Sequence, residues 1–481
     1  MKKNISNFAL LSLAGNISGK IFRYVTIIII ARALGQDSLG VYSFGIVLME
    51  TSGVIARAGL GTGAKKYVPM YLNEDKHDHV LGFILSALVV TSLLGVAVSG
   101  ILTFIQPILE SNFDAFSKET MLFIWGIPFY SLMMVAAEST KSFKDTRFFV
   151  YSREIVQSGV ALLGALVGGF LLHSLSSIVV VYLFSLFLGA IVAILFLYKL
   201  TKNLEYQGAE FSTKKHVTYS GYILLVAVTM HLISWSDILM LGYFVPATEV
   251  GWYQSAYQTS ILLLVLLQAV NSIFPPVASS LFESDEIDQL GKLYRGVARI
   301  IGGATILGFL YVSLFSEIIL SIFGTPTNES IIVLVVFAAA NTVAVVSGPA
   351  GYMLSMTNNQ RLELVNTLSV CLFNICANVL MIVNYGIVGA AVASATSLIL
   401  LNVIRLVEIK HYLGIKPISQ KLVLRSAPLI ISIVILLILH ATLQESLVAA
   451  LVVGTLTLLS YCYLMYYQGL NEEELQLFNS I

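Results

Sequence analysis

The sequence predicts an all-α polytopic membrane protein with 14 transmembrane helices. Three observations carry this. The chain is 57% hydrophobic and only 11% charged, against about 25% charged in soluble domains. Its mean hydropathy is +0.87. Apolar runs of about 20 residues, the length a helix needs to cross a bilayer, recur along all 481 residues.

The runs lie near 6–31, 41–63, 79–104, 119–140, 149–172, 176–198, 217–243, 250–274, 294–323, 329–355, 362–383, 386–409, 422–441 and 446–467. The longest connections, near 105–118, 199–216 and 275–293, are too short to fold as domains. Function is therefore expected within the membrane or at its faces. The start, MKKNISNFALLSLAG, is basic, but its apolar stretch is broken by Asn16, Lys20 and Arg23 and no small-x-small cleavage site follows. It reads as a retained first helix.

An even span count puts both termini on one side. With Lys2 and Lys3 inside, the outer segments hold only Arg32 and Lys118, and Lys20, Arg23 and Arg57 fall within spans; the rest of the 27 Lys and Arg lie on the side of the termini. The positive-inside rule makes that side cytoplasmic. The expected location is the cell (cytoplasmic) membrane.

A weak repeat runs at a spacing of about 211. LGQDSLGVYS (34–43) follows the first span and VPATEVGWYQ (245–254) the seventh, matching Gly40 to Gly251 and Tyr42 to Tyr253, with Phe8 on Tyr219 and Tyr24 on Trp235 behind them. RFFVYSREIVQSG (147–159) and RLELVNTLSVCLF (361–373) open the fifth and eleventh spans, whose partner spans end at Lys199 and Lys410. This gives residues 1–200 as an N-terminal lobe (spans 1–6), 201–415 as a C-terminal lobe (spans 7–12), and 416–481 as two added helices with a short cytoplasmic tail. Six spans is an even number, so both copies enter the membrane alike and the repeat axis follows the membrane normal. Two facing bundles leave a cleft that rocking can open to either side.

The first span carries the chemistry. Lys20 lies about 18 Å along the helix from Phe8, too deep for easy snorkelling. Ser12, Asn16, Gly19, Lys20 and Arg23 share one face, opposite Leu10, Ile21 and Ile28. An ion at mid-span costs about 2.5–3.5 kcal/mol on insertion scales, so two on one stripe point to a solvated or anion-filled cavity. On the second span Ser43, Glu50 and Arg57 share a face. In the second copy His231 stands where Lys20 does, with Ser234 and Asp237 beyond it and Gln268 for Arg57. The plain alternatives are that Lys20 or Arg23 pairs with Glu50 to lock two helices, that His231 only bonds a neighbouring helix, that Asp237 is solvated near the outer surface, and that Trp235, Trp252, Tyr253 and Tyr257 form an interfacial belt. One carboxylate does not neutralise three cations, which favours an anionic guest.

Other features are quieter. Cys371, Cys376 and Cys462 lie in apolar runs and read as buried small hydrophobes. Pro128 and Pro349 fall within the fourth and tenth spans and suggest bends. NEDKHDH (73–79) and ESDEIDQ (283–289) read as solvated cytoplasmic loops. No HExxH, Walker loop, GxSxG or Cys/His cluster occurs, so no cofactor, metal or catalytic residue is expected, and zero net charge gives no sign of a nucleic-acid partner.

ARALGQDSLGVYSFG (31–45), GLGTGAKKYVPMYL (59–72) and NYGIVGAAVASATS (384–397) resemble the polysaccharide or oligosaccharide flippases. These belong to the multidrug/oligosaccharidyl-lipid/polysaccharide exporter superfamily, with the lipid II flippases and multidrug extruders. The resemblance implies two pseudo-symmetric six-helix lobes in a V, with two C-terminal helices alongside. It implies a polyprenyl-phosphate- or diphosphate-linked oligosaccharide moved from the cytoplasmic to the outer leaflet, for cell-surface polysaccharide biosynthesis. Lys20, Arg23 and Arg57 would hold the anion and Asn16, Tyr24 and Trp235 would meet the sugars. Glu50, Asp237 and His231 are candidates for proton or sodium coupling. Membrane lipids and polysaccharide assembly enzymes are the further partners implied, around a functional monomer. Two rivals remain at this point. A multidrug cation antiporter would want a carboxylate-rich cavity, and a glycan-processing membrane enzyme would want a larger loop with paired acids or Arg and His.

Overall fold

The computed structural model describes residues 2–143, 145–202, 204–205, 208–210, 213–416, 427–442, 446–465 and 467, with side chains from Gly15 onward except 213–223, 226 and 441–442. The Phe8–Tyr219 match, Ser12 and the C-terminal tail fall outside the described side chains. Among the described residues the chain is helical throughout, without strands. Among the described residues ten helices are long and apolar enough to cross a membrane, and the protein is a multi-pass membrane protein.

In order, the elements are α1 (Lys2–Ala56), α2 (Leu60–Asn73), α3 (His77–Phe104), α4 (Gln106–Asn112) and α5 (Lys118–Thr140). They continue with α6 (Arg147–Leu171), α7 (Leu175–Thr201), α8 (Thr213–Phe244) and α9 (Ala247–Glu283). The remainder are α10 (Ile287–Leu314), α11 (Ser316–Ser321), α12 (Asn328–Val346), α13 (Ala350–Met356), α14 (Gln360–Leu413), α15 (Ala427–Thr442) and α16 (Leu447–Leu464). Several start on side-chain caps that satisfy orphan amides: Ser117 accepts from Glu119, Ser174 from Ser177, Ser446 from Ala449, and Thr327 forms a reciprocal box with Ser330.

Three expectations about breaks are corrected. The loop expected at 32–40 is a single non-helical residue, Gly35, at φ 87° and ψ 171°. Its equivalent in α14 is Gly386 at φ 55°; glycine alone enters these regions without a Cβ penalty. The second span does not run to 63: it ends at Ala56, because Ala58 (φ 46°) and Gly59 (φ 71°) turn the chain before α2 begins. Of the two prolines, Pro128 sits inside an uninterrupted α5, while Pro349 stands at a real break between α12 and α13, beside Gly348 at φ 67°. The cysteines also differ from expectation: Cys371 is buried, but Cys376 and Cys462 are exposed on the helix surface.

The contacts divide the chain into two units, Met1–Gln254 and Ser255–Ile481. In the first, α5 is central. Its Phe123 meets Tyr42 of α1 and Tyr182 of α7 edge-on at 5.5 and 5.6 Å, and Ser99 of α3 donates to the Ile124 carbonyl at 2.8 Å. The start of the second sequence copy belongs to this unit. A Cβ on Gly40 would overlap the Ala247 carbonyl, and one on Gly251 would overlap the Gln36 carbonyl. Thr248 reaches Asp37 at 3.4 Å, 211 residues away. Repeat-related segments therefore cross at their own equivalents, and only bare backbone permits that approach.

The second unit is built around α14, which doubles back at Gly386. Asn374 bonds Ser394 and Ser397 at 3.2 Å each, and Asn378 bonds Asn374 at 3.1 Å. Arg405 clasps Glu363 through both guanidinium edges, and Asn366 donates to Glu408 at 2.6 Å. The interior of this unit closes polar groups on one another, as a lipid-embedded bundle must.

Candidate functional site

The charged residues of the first span gather others that sequence reading left at the periphery. A straight helix from Arg23 to Glu50 would separate them by roughly 40 Å. Yet Glu50 lies within electrostatic reach of Arg153, Arg23 and Arg57, so the chain turns back at Gly35. Gly15 and Gly19, four apart, bring α1 onto α6: a Cβ on Gly15 would meet Val150, and one on Gly19 would meet the Glu154 carboxylate. Where they meet, α6 winds through wider π turns from Val150 to Gln157, a rare geometry concentrated at functional sites.

At this crossing the Arg23 Nη1 lies 2.9 Å from Glu154 Oε2 and donates to Ser158 Oγ at 3.0 Å. Glu154 Oε1 is 3.9 Å from Arg153 Nε. Lys20 is half-buried, makes no ion pair among the described residues, and feels both Arg23 and Glu154. Further along, Glu138 of α5 lies 3.8 Å from Arg57 and 3.4 Å from Lys65. Arg57 lies 5.6 Å from the Tyr130 ring centroid, and Lys141 sits 3.3 Å above the Phe149 ring, facing Lys65, Glu138, Arg153 and Glu154. Six cations (Lys20, Arg23, Arg57, Lys65, Lys141, Arg153) thus face three carboxylates (Glu50, Glu138, Glu154). Solvent reaches part of this excess, since the Arg23 and Lys65 side chains are 42% and 41% exposed, and an exposed charge costs little.

The alternative lock between Glu50 and Lys20 or Arg23 does not form: Arg23 pairs with Glu154, and among the described residues Glu50 makes no ion pair. His231 does join the group, its Nε2 2.9 Å from Thr51 Oγ1 beside Glu50. Asp237 does not. It is 3% exposed, takes the Tyr253 hydroxyl of α9 and accepts from the Ile238 amide at 2.8 Å, so the picture of a solvated surface residue is corrected. Asn16 is exposed, and Tyr24 and Trp235 are half-buried. Arg153, Glu154, Glu138 and Lys141 were missed because each lies within a turn or so of an expected span end, where charge is ordinarily solvated. The signal was present in one respect: an Arg-Glu pair sits one turn inside the apolar run 149–172.

One end of the first unit holds an apolar cavity of about 370 Å³, lined by Phe44, Leu48, Phe113, Leu239, Tyr243 and neighbours. At the start of α6, outside the span, Asp145 accepts three bonds from Arg147 at 2.7–3.1 Å, and that guanidinium holds its carboxyl below the usual range. The 73–79 run is also more than a solvated loop. His77 meets the Glu205 carbonyl at 3.1 Å, Asp78 takes the amides of Gly208 and Glu210 at 3.0 Å, and His79 pairs with Glu210 at 3.3 Å. It clasps the segment that joins α7 to α8. Among the described residues no group of three or more His, Cys, Asp or Glu could hold a metal.

The profile of the polysaccharide biosynthesis protein family matches residues 5–282, more than half of the chain. The chain belongs to this family. A relative from Haloferax volcanii, named a probable low-salt glycan biosynthesis flippase, is 24% identical over 405 residues, 83% of this chain and 82% of its own length. A second from the same organism, named a probable flippase, is 26% identical over 171 residues, 35% of this chain and 36% of its own. Among solved structures, a lipid II flippase in an inward closed conformation superposes with a TM-score of 0.72 at 15% identity, covering 95% of this chain and 98% of that one. An inward-facing multidrug transporter of the multidrug and toxin extrusion family gives 0.70 at 13% identity, covering 84% and 98%. These similarities establish a shared fold between the family and both transporter types.

Proposed function

We propose that this protein is a flippase, not an enzyme, that moves a polyprenyl-phosphate- or diphosphate-linked oligosaccharide from the cytoplasmic to the outer leaflet by alternating access. The observation that carries the reading is the excess of cations over carboxylates inside the first unit, where Arg57, Lys65 and Lys141, on α2 and the turns after α1 and α5, add to the balanced charges of α1, α5 and α6. A glycan headgroup cannot cross hydrocarbon unaided, because its polar groups would go unsatisfied. Lys20, Arg23 and Arg57 replace water around the phosphate, with Arg153 and Lys141 adding to the field. Asn16, Tyr24 and Trp235 offer sugar contacts. Fourteen crossings and cytoplasmic termini belong to the same proposal. Coupling to protons or sodium acts through Glu50 and through His231, which bonds Thr51, the residue after Glu50, with Asp237 further along α8. An ion binding there must favour one open state over the other to drive transport.

The names of the Haloferax relatives support this reading. The fold does not choose between a lipid flippase and a multidrug extruder, because both share it. The sign of the cluster favours the flippase, since a site for organic cations would want the opposite excess. The deciding experiment is reconstitution in vesicles with a lipid-linked oligosaccharide loaded in one leaflet. The Lys20→Glu/Arg23→Glu double variant should insert and melt like the parent while transport falls to background. Full transport by that variant would overturn the assignment.

A further inference from the structure

We infer that Glu154 is a built-in stand-in for the substrate's phosphate: it occupies Arg23 while the site is empty and yields it to an arriving anionic headgroup. This rests on the reading that the cluster accepts a lipid-linked phosphate or diphosphate.

Four observations converge on Glu154. Its side chain is 5% exposed while that of its partner Arg23 is 42% exposed, so the arginine keeps an open edge on the side away from the acid. Both polar contacts of Arg23, to Glu154 and to Ser158, run through Nη1, although a guanidinium offers five N–H donors in a fixed fork. The remaining donors suit a second, bidentate anion. The Glu154 Oε2 is buried and close to Arg23, yet it accepts no hydrogen bond of good geometry. That is a contact held by charge rather than by alignment, the kind that exchanges most readily. Finally, the carboxylate lies against the bare backbone at Gly19, where even a methyl group would displace it, and the π turns of α6 carry it there.

Carboxylate and phosphate oxygens both suit a guanidinium, so an anion that lands on the open edge of Arg23 competes with Glu154 for the same positive charge and loosens its single contact through Nη1. With the site empty, Glu154 offsets the burden of an uncompensated cation away from bulk water. With a diphosphate present, it opposes binding and so assists release. A transporter gains nothing from a complex too tight to leave, and an internal competitor sets an upper limit on affinity without removing the attraction that loads the site.

The test uses the purified full-length protein in nanodiscs, with farnesyl diphosphate as probe and calorimetry as readout, beside vesicle transport of a lipid-linked oligosaccharide. Glu154→Gln should bind the probe at least tenfold more tightly and turn over more slowly. Glu138→Gln removes the same unit charge at the other end of the cluster and should shift affinity less than threefold. Glu154→Ala removes the carboxylate without adding bulk at the crossing; it should tighten binding in the same direction, and it serves if Glu154→Gln does not fold. Unchanged or weaker binding by Glu154→Gln, or an equal gain in Glu138→Gln, overturns the inference. If Arg23→Gln weakens the probe while Glu154→Gln leaves it unchanged, only the stand-in role falls. If neither the parent nor any variant binds, the phosphate reading itself falls with it.

Discussion

Helix α6 and the first half of α14 descend from matching stretches of the repeat, and they have opposite interiors. In α6 the pair Arg153 and Glu154 faces inward among more cations than acids. At the matching positions α14 carries Thr367 and Leu368, and its buried acid, Glu363, is closed by Arg405, while Glu408 takes a bond from Asn366. Its remaining buried polar groups are neutral: Asn374, Asn378, Ser394 and Ser397 bond one another. One scaffold therefore hosts two electrostatic designs. A closed pair serves stability, because removing either partner strands the other. An open excess serves a guest, because removing one cation leaves the acids with others to pair.

The sharpest contrast is expected at the closed pair. Glu363→Gln leaves Arg405 buried without its carboxylate, and stability in detergent should fall by about 3–5 kcal/mol, read from chemical or thermal unfolding. Arg57→Gln should behave in the opposite way. Glu138 keeps Lys65 at 3.4 Å, so the loss of stability should be about 1 kcal/mol while transport drops at least tenfold. Equal destabilisation by the two variants would erase the distinction between the units. Thr51→Val tests whether His231 belongs to the charged design: losing the hydroxyl's two bonds, to His231 and the Val47 carbonyl, should cost about 1–2 kcal/mol and shift the pH dependence of transport, whereas an unshifted profile would leave His231 a packing residue.

The smallest effect is expected at the edge of the cluster. The Asp145 carboxyl is held below its ordinary value by Arg147, so it contributes stability above the unfolded-state value and loses it as pH falls through the folded one. The group is partly exposed and screened, so Asp145→Asn should lower stability at neutral pH by only a few tenths of a kcal/mol. It should also flatten the decline in melting temperature at acid pH.

The apolar runs made the helices legible, since length and hydropathy are local properties. What stayed hidden was which helix faces which. The stripe through Asn16, Lys20 and Arg23 was visible from a 3.6-residue period, but its partner Glu154 lies on another helix, near an expected span end where charge needs no explanation. The π turns that aim Glu154 inward also leave no mark in composition. Asp237 read as a coupling candidate or a solvated residue, because nothing local announces that Tyr253, beyond the next turn of chain, will cap it. Gly35 and Gly386 were harder still: each compresses an expected loop into one residue, and a lone glycine among 35 carries little signal.

The crossing of Gly40 with Ala247 and of Gly251 with Gln36 bears on the order of events during synthesis. Six spans and a connecting segment emerge before α8 begins at Thr213, yet the first unit extends to Gln254. The ribosome must therefore deliver part of the second copy before the first can finish assembling. A truncation after residue 212, however natural it looks as a gene fragment, should yield an incomplete bundle with bare backbone at Gly40 awaiting its mate.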